Sequence, residues 1–134
     1  MKKLRYVFLL ALGVAALTVP AALGAGTAAS IKFSGRAQLQ APTTVLVTVT
    51  YSCLPLTGTA SNGSGFIQLR ETQASGPAAL GFVNFTTLCD DRSHTQTVAV
   101  SGGPWTPGTG AVEGNVCGLL CADNFSSPTE VTIR

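Results

Sequence analysis

The chain carries one histidine, one tryptophan and one methionine, and only 10% of its residues are charged. Each scarcity removes a class of activity. His94 is the sole candidate base for a Ser or Cys nucleophile, and no G-x-S-x-G elbow accompanies it. Outside residues 90–91 the acids are Glu71, Glu113, Asp123 and Glu130, scattered singly, so no carboxylate pair is set up for glycoside hydrolysis. Helical three-to-four periodicity is missing beyond the first 29 residues. The glycine-rich stretches are followed by neither a lysine nor a helix, so none matches a phosphate-binding fingerprint. The expectation is a protein that is not an enzyme, with no catalytic residues, no cofactor and no metal set.

Positive charge is also scarcer than the formal net charge of +2 indicates. Lys2, Lys3 and Arg5 precede an apolar stretch over residues 6–19, broken by Pro20 and followed by small residues. That is the layout of a signal peptide, with cleavage options after Gly24, Ala25 or Ala29. The rival reading is a retained membrane anchor, because residues 6–23 approach the ~20 apolar residues that a span needs. Proline, glycines and the small-residue tail favour cleavage, which assigns residues 1–29 to the signal peptide and 30–134 to one domain. Five basic residues then remain against six acids, a net of about −1. Nucleic acid is excluded as a partner, since phosphate recognition needs clustered Lys and Arg. No membrane span is expected after cleavage, and secretion is.

Four cysteines in an exported chain predict two disulfides. Their faces follow from strand parity. In "TTVLVTVTYSC", residues 43–53, Val45, Val47, Val49, Tyr51 and Cys53 alternate with Leu46, Thr48, Thr50 and Ser52. This is a half-buried strand with Cys53 pointing inward. Over residues 80–89 the apolar parity runs through Val83 and Phe85 to Cys89, also inward. Over residues 110–117, Val112 and Val116 take the inward parity and Cys117 faces out. The economical pairing is Cys53–Cys89 and Cys117–Cys121, one of three connectivities. Further strands are expected at residues 31–39, 65–73, 94–101 and 130–134, with a loop around Asn62-Gly63. Seven short strands punctuated by Gly and Pro predict an all-β, antiparallel sandwich of the immunoglobulin-like kind.

"CDDRSH", residues 89–94, is the densest group of reactive side chains. Once Cys89 is tied to Cys53, the remaining Asp90, Asp91 and His94 lie within five residues and match no zinc or calcium spacing. They are expected to make a turn in which carboxylates cap backbone amides. Trp105, between Pro104 and Pro107, has two readings: a lid folded onto the core, or an exposed aromatic that docks a sugar or a partner. Phe125 poses the same choice. Leu119 and Leu120, in a loop closed by Cys117 and Cys121, either plug the end of the fold or form a rigid apolar contact. Asn62, Asn84 and Asn124 begin N-glycosylation acceptor patterns, which carry no meaning behind a leader of bacterial type.

The Val/Thr strand ending in Cys53, the Cys89-Asp90-x-x-x-His94 turn and Pro107-Gly108 before an Ala-Val strand resemble a family. It is that of the small secreted bacterial immunoglobulin-like domains of unknown function, and the resemblance covers residues 31–134. It implies a sandwich and export and no assigned activity. A weaker resemblance is to the neocarzinostatin-type apoproteins, to whose short-loop disulfide Cys117–Cys121 would correspond. The Cys53–Cys89 pair departs from that pattern. Two functions compete: a binding or cell-surface interaction module for a protein, glycan or small molecule, and a small-molecule carrier with an apolar cleft. The candidate binding loops are those of Trp105, Leu119, Leu120 and Phe125.

Overall fold

The computed structural model describes residues 29–72 and 78–134. The expected signal peptide, residues 1–29, therefore lies outside the described residues except for Ala29. Eight strands follow in order: β1 (Ala29–Ala41), β2 (Thr44–Cys53), β3 (Ser61–Glu71), β4 (Leu80–Cys89), β5 (Ser93–Gly102), β6 (Gly108–Cys117), β7 (Cys121–Asp123) and β8 (Thr129–Ile133). No described helix is long and apolar enough to cross a membrane.

Strand formation follows the alternation in the sequence. On β2, Val45, Val47 and Val49 are fully buried, with Tyr51 and Cys53 nearly so, while the intervening residues are half-exposed. β3 contributes Ile67 and Leu69, β6 Val112 and Val116, and β8 Val131 and Ile133 to the same core. These short β-branched and aliphatic side chains fill the interior completely enough that the largest of them show no solvent exposure.

The two-sheet immunoglobulin-like sandwich does not form. The strand order is β3-β4-β5-β2-β1-β8-β6, and β6 pairs back onto β3, closing a seven-stranded barrel with β7 appended to β6 alone. The β6–β3 ladder is long, from Ser64↔Cys117 to Glu71↔Gly110. On its other edge β6 meets β8 from Gly108↔Ile133 to Val112↔Thr129. β8 then joins β1 in the only parallel pairing among the described residues, at Arg36↔Thr132 and Ala37↔Ile133. The other closing seam is β4–β5, paired at Gly81↔Gly102 and Phe82↔Ser101. Close approach there requires glycine, since a Cβ on Gly81 would strike Ser101 O and the Trp105 ring, and one on Gly102 would strike Leu80 O. Alternating parity is the same for a sandwich and a barrel. What differs is the choice of edge partners, and closure satisfies the strand edges that a sandwich leaves open.

Asn62-Gly63 is not a loop. It lies inside β3, where Asn62 faces Leu88 and Gly63 faces Thr87. Gly63 is there for space, because a Cβ would collide with Cys117 O, the Cys89 sulfur and the Thr87 hydroxyl. The glycine lets β3 cross directly over the core disulfide.

Trp105 is 3% exposed and belongs to the core, so it is a lid and not an exposed binding aromatic. Its amide donates to Pro42 O at 2.7 Å. The adjoining Thr106 is fixed by the buried Glu71, whose carboxylate accepts from the Thr106 amide at 2.6 Å and from its hydroxyl at 3.0 Å. The 103–108 segment is thereby pinned over the Gly81/Gly102 end of the barrel, and its prolines stiffen a closure.

Candidate binding surface

The opposite end is built around the two disulfides. Cys53 links to Cys89 across 36 positions and Cys117 to Cys121 across 4, and no described cysteine is free. The first bond is buried in the core, as the inward parity of both residues requires. Two disulfides place the protein in an oxidising, extracellular-type environment.

The short loop is fastened onto the long-range bond. Leu119 N–H donates to Leu54 O at 3.0 Å, and Gly118 N–H to Leu120 O at 3.0 Å. Gly118 sits so close to Leu54 O and the Cys89 sulfur that no side chain fits. With its backbone held to Leu54 and closed on itself, the loop turns its two leucines out: Leu119 is 55% and Leu120 52% exposed. They do not plug the barrel. Leu56 and Leu88 are also exposed and lie within three positions of Cys53 and Cys89. This end therefore presents four leucines on a covalently braced backbone.

Phe125, exposed on its turn, sits away from that end. Asn124 N–H donates to Gly114 O at 3.2 Å, which sets the turn three residues back along β6 from Cys117, about 10 Å at strand rise. The Asn124 side chain is a strap: Oδ1 accepts from Gly114 N–H at 2.8 Å, and Nδ2 donates to Val112 O at 3.2 Å. Its place in an acceptor pattern is incidental to that service.

"CDDRSH" forms the β4–β5 corner. Asp90 Oδ1 accepts from Arg92 N–H at 3.0 Å and meets His94 Nε2 at 2.7 Å. The hydrogen bond from His94 holds the Asp90 carboxyl below its ordinary value, with the Arg92 amide adding to the effect. Asp91 adopts φ 61°, the left-handed conformation that Asp tolerates better than most residues, and its N–H donates to Cys53 O at 3.0 Å. The His94 ring lies against Tyr51 at 5.7 Å, and Tyr51 Oη accepts from Leu88 N–H at 3.1 Å. This corner ties β2, β4 and β5 together beside the core disulfide. Among the described residues no group of three or more His, Cys, Asp or Glu is placed to hold a metal ion.

Two surface features escaped the sequence reading. Phe82, 62% exposed, stacks on Phe66 at 6.5 Å on the outer face of β3–β4, with Leu80 beside it in the same parity. The signal was present, since Leu80 and Phe82 occupy the parity opposite Val83 and Phe85. The second is a cleft on the outer face of β1, β2 and β5, between Arg36 and Arg134. No pattern along the chain joins those two residues, which are 98 positions apart.

No protein-family model matches the chain, and no curated protein does. Among solved structures, the crystal structure of Spo0M, sporulation control protein, from Bacillus subtilis is similar over 80% of this chain at 11% identity and a TM-score of 0.40. The chain spans about half of that structure's length, 49%, and at this level the likeness carries no functional argument.

Proposed function

We propose that the protein is a secreted, non-enzymatic binding module, and that its contact surface is the leucine-bearing end built on the two disulfides. The observation that carries this reading is the exposure of Leu119 and Leu120 in a loop that is both disulfide-closed and hydrogen-bonded to Leu54. An apolar pair held rigid in solvent costs little further ordering when a partner covers it, and aliphatic groups left exposed in this way mark contact sites. The only imidazole is engaged by Asp90 and Tyr51, and the thiols are tied in disulfides, so the groups that general-base or thiolate chemistry uses are in structural service. A carrier needs interior space, and here the interior is occupied by Val45, Val47, Val49, Ile67 and Leu69 at full burial.

The test is the double substitution Leu119→Ser, Leu120→Ser. Binding of the fluorescently labelled protein to the surface of the producing cells should fall to background while the melting temperature stays within a degree or two. Retained binding contradicts the reading. So does a melting temperature lowered by the several degrees that loss of buried leucines brings.

A further inference from the structure

The cleft between Arg36 and Arg134 is a second site, on a different face from the leucine end and independent of it. It has a volume of about 340 Å³ on the outer surface of the sheet. The backbone brings the two arginines together. β1 shifts register between Phe33 and Ala37, and this irregularity turns Ser34, Gly35 and Arg36 outward in succession. β8 then runs parallel beside it, and Arg134 continues its ladder: Arg134 N–H donates to Ala37 O at 3.1 Å and Leu39 N–H to Arg134 O at 2.6 Å. Both guanidinium stems therefore rise from one seam.

The opposite wall is hydroxylic. Thr48 and Thr97 face each other across β2–β5, with their Oγ1 atoms 3.4 Å apart, and Gln38 adds an amide while Leu46 provides apolar surface. No Asp or Glu side chain lines the cleft. Neither arginine has an ion-pair partner among the described residues, whereas Arg70 pairs with Glu113. Lys32, opposite Thr50 on the same outer face, adds a third positive charge. On a domain of slightly acidic balance these three cations share one outer face, with the exposed Glu130 of β8 near it but outside the cleft lining, and such a cluster attracts and orients an anion.

Guanidinium forks match carboxylate and phosphate geometry, and threonine and amide groups match hydroxyls. A volume near the lower end of the ~300–1,000 Å³ range of small-ligand sites fits one sugar-sized unit. We propose that this cleft binds an acidic sugar unit, its anionic group held by Arg36 and Arg134 and its hydroxyls by Thr48, Thr97 and Gln38. The unit is supplied either as a free sugar acid or as one residue of an extracellular acidic polysaccharide.

The experiment is a titration of the 15N-labelled exported protein with glucuronate, glucose 6-phosphate, an oligoglucuronate, glucose and inorganic phosphate. Amides of residues 34–38, 46–48, 97 and 132–134 should shift with the acidic sugars, and added salt should weaken the binding. Arg36→Ala and Arg134→Ala should each weaken it about tenfold, the loss expected for one charge-assisted hydrogen bond. Both arginines are exposed, so melting temperatures should not move. Thr97→Val, which keeps the side-chain shape and removes the hydroxyl, should weaken binding as well. A tighter oligoglucuronate with the same footprint identifies the polysaccharide as the source, and equal per-unit affinity identifies the free acid. The proposal is overturned if the shifts fall elsewhere, if the arginine variants bind unchanged, or if glucose or inorganic phosphate alone binds as well as the acidic sugars.

Discussion

Removing the two disulfides one at a time should give unequal losses, and the structure sets the ratio. Cys53–Cys89 closes a loop of 36 positions and Cys117–Cys121 one of 4. Loop-closure entropy in the unfolded chain makes the first worth about 4 kcal/mol and the second about 2 kcal/mol. The first pair is also buried, so Cys53→Ala with Cys89→Ala leaves a void under Gly63 and Gly118, adding roughly 1 kcal/mol. Cys117 and Cys121 are partly exposed, and their replacement leaves no comparable hole. For a domain of this size about 1 kcal/mol corresponds to ~4 °C. The core pair should therefore lower the melting temperature by about 20 °C and the short pair by about 8 °C or less. Thermal unfolding followed by near-ultraviolet circular dichroism, on the oxidised protein and both double variants, measures this. Equal losses, or a larger loss from the short loop, would refute the assignment of Cys53–Cys89 as the structural staple.

Three further outcomes follow from named contacts. Emission from Trp105, the only tryptophan, should be blue-shifted and resistant to acrylamide, and Trp105→Ala should cost about 3–5 kcal/mol; a red, freely quenched emission would return the residue to the surface. Asn124→Ala should cost about 1–3 kcal/mol, because Gly114 N–H and Val112 O lose their partner together, and a neutral effect by denaturant titration would show that the strap carries no weight. The depressed Asp90 carboxyl stabilises the fold fully above the ordinary aspartate value of 3.8, and this increment is lost as pH falls through the lower folded value. Asp90→Asn keeps the acceptor for Arg92, so its stability deficit should shrink below about pH 4; a deficit that grows with acidity there has the wrong sign.

Much of the local structure was legible in the residues. The Val/Thr alternation of β2 fixes its inward face, and the same parity on β4 and β6 sorts the cysteines into a buried pair and a surface pair. What parity leaves open is which edges meet. Barrel closure depends on β6 choosing both β3 and β8, and on the register irregularity in β1 that brings Arg36 beside β8. These are long-range choices settled by packing and by glycines at crowded crossings. Gly63 illustrates the difficulty: Asn-Gly is a strong turn signal, yet here the glycine is a strand residue demanded by a disulfide beneath it. β7 is three residues long, too short for any period to show. At the candidate contact surface, the exposure of Leu119 and Leu120 follows from the Leu54 hydrogen bond, which joins residues 65 positions apart.

The most direct measurement of the central claim is photo-cross-linking with photo-leucine in place of leucine throughout residues 30–134. Leucines are distributed over every face considered: Leu46 lines the arginine cleft, Leu80 stands beside the Phe66–Phe82 stack, and Leu56, Leu88, Leu119 and Leu120 mark the disulfide end. After irradiation of protein bound to the producing cell surface, mass spectrometry of the cross-linked peptides reports which leucine touched the partner. Cross-links should originate from Leu119 and Leu120, with Leu56 or Leu88 as neighbours. Cross-links arising from Leu80 or Leu46 while Leu119 and Leu120 stay unmodified would contradict the account.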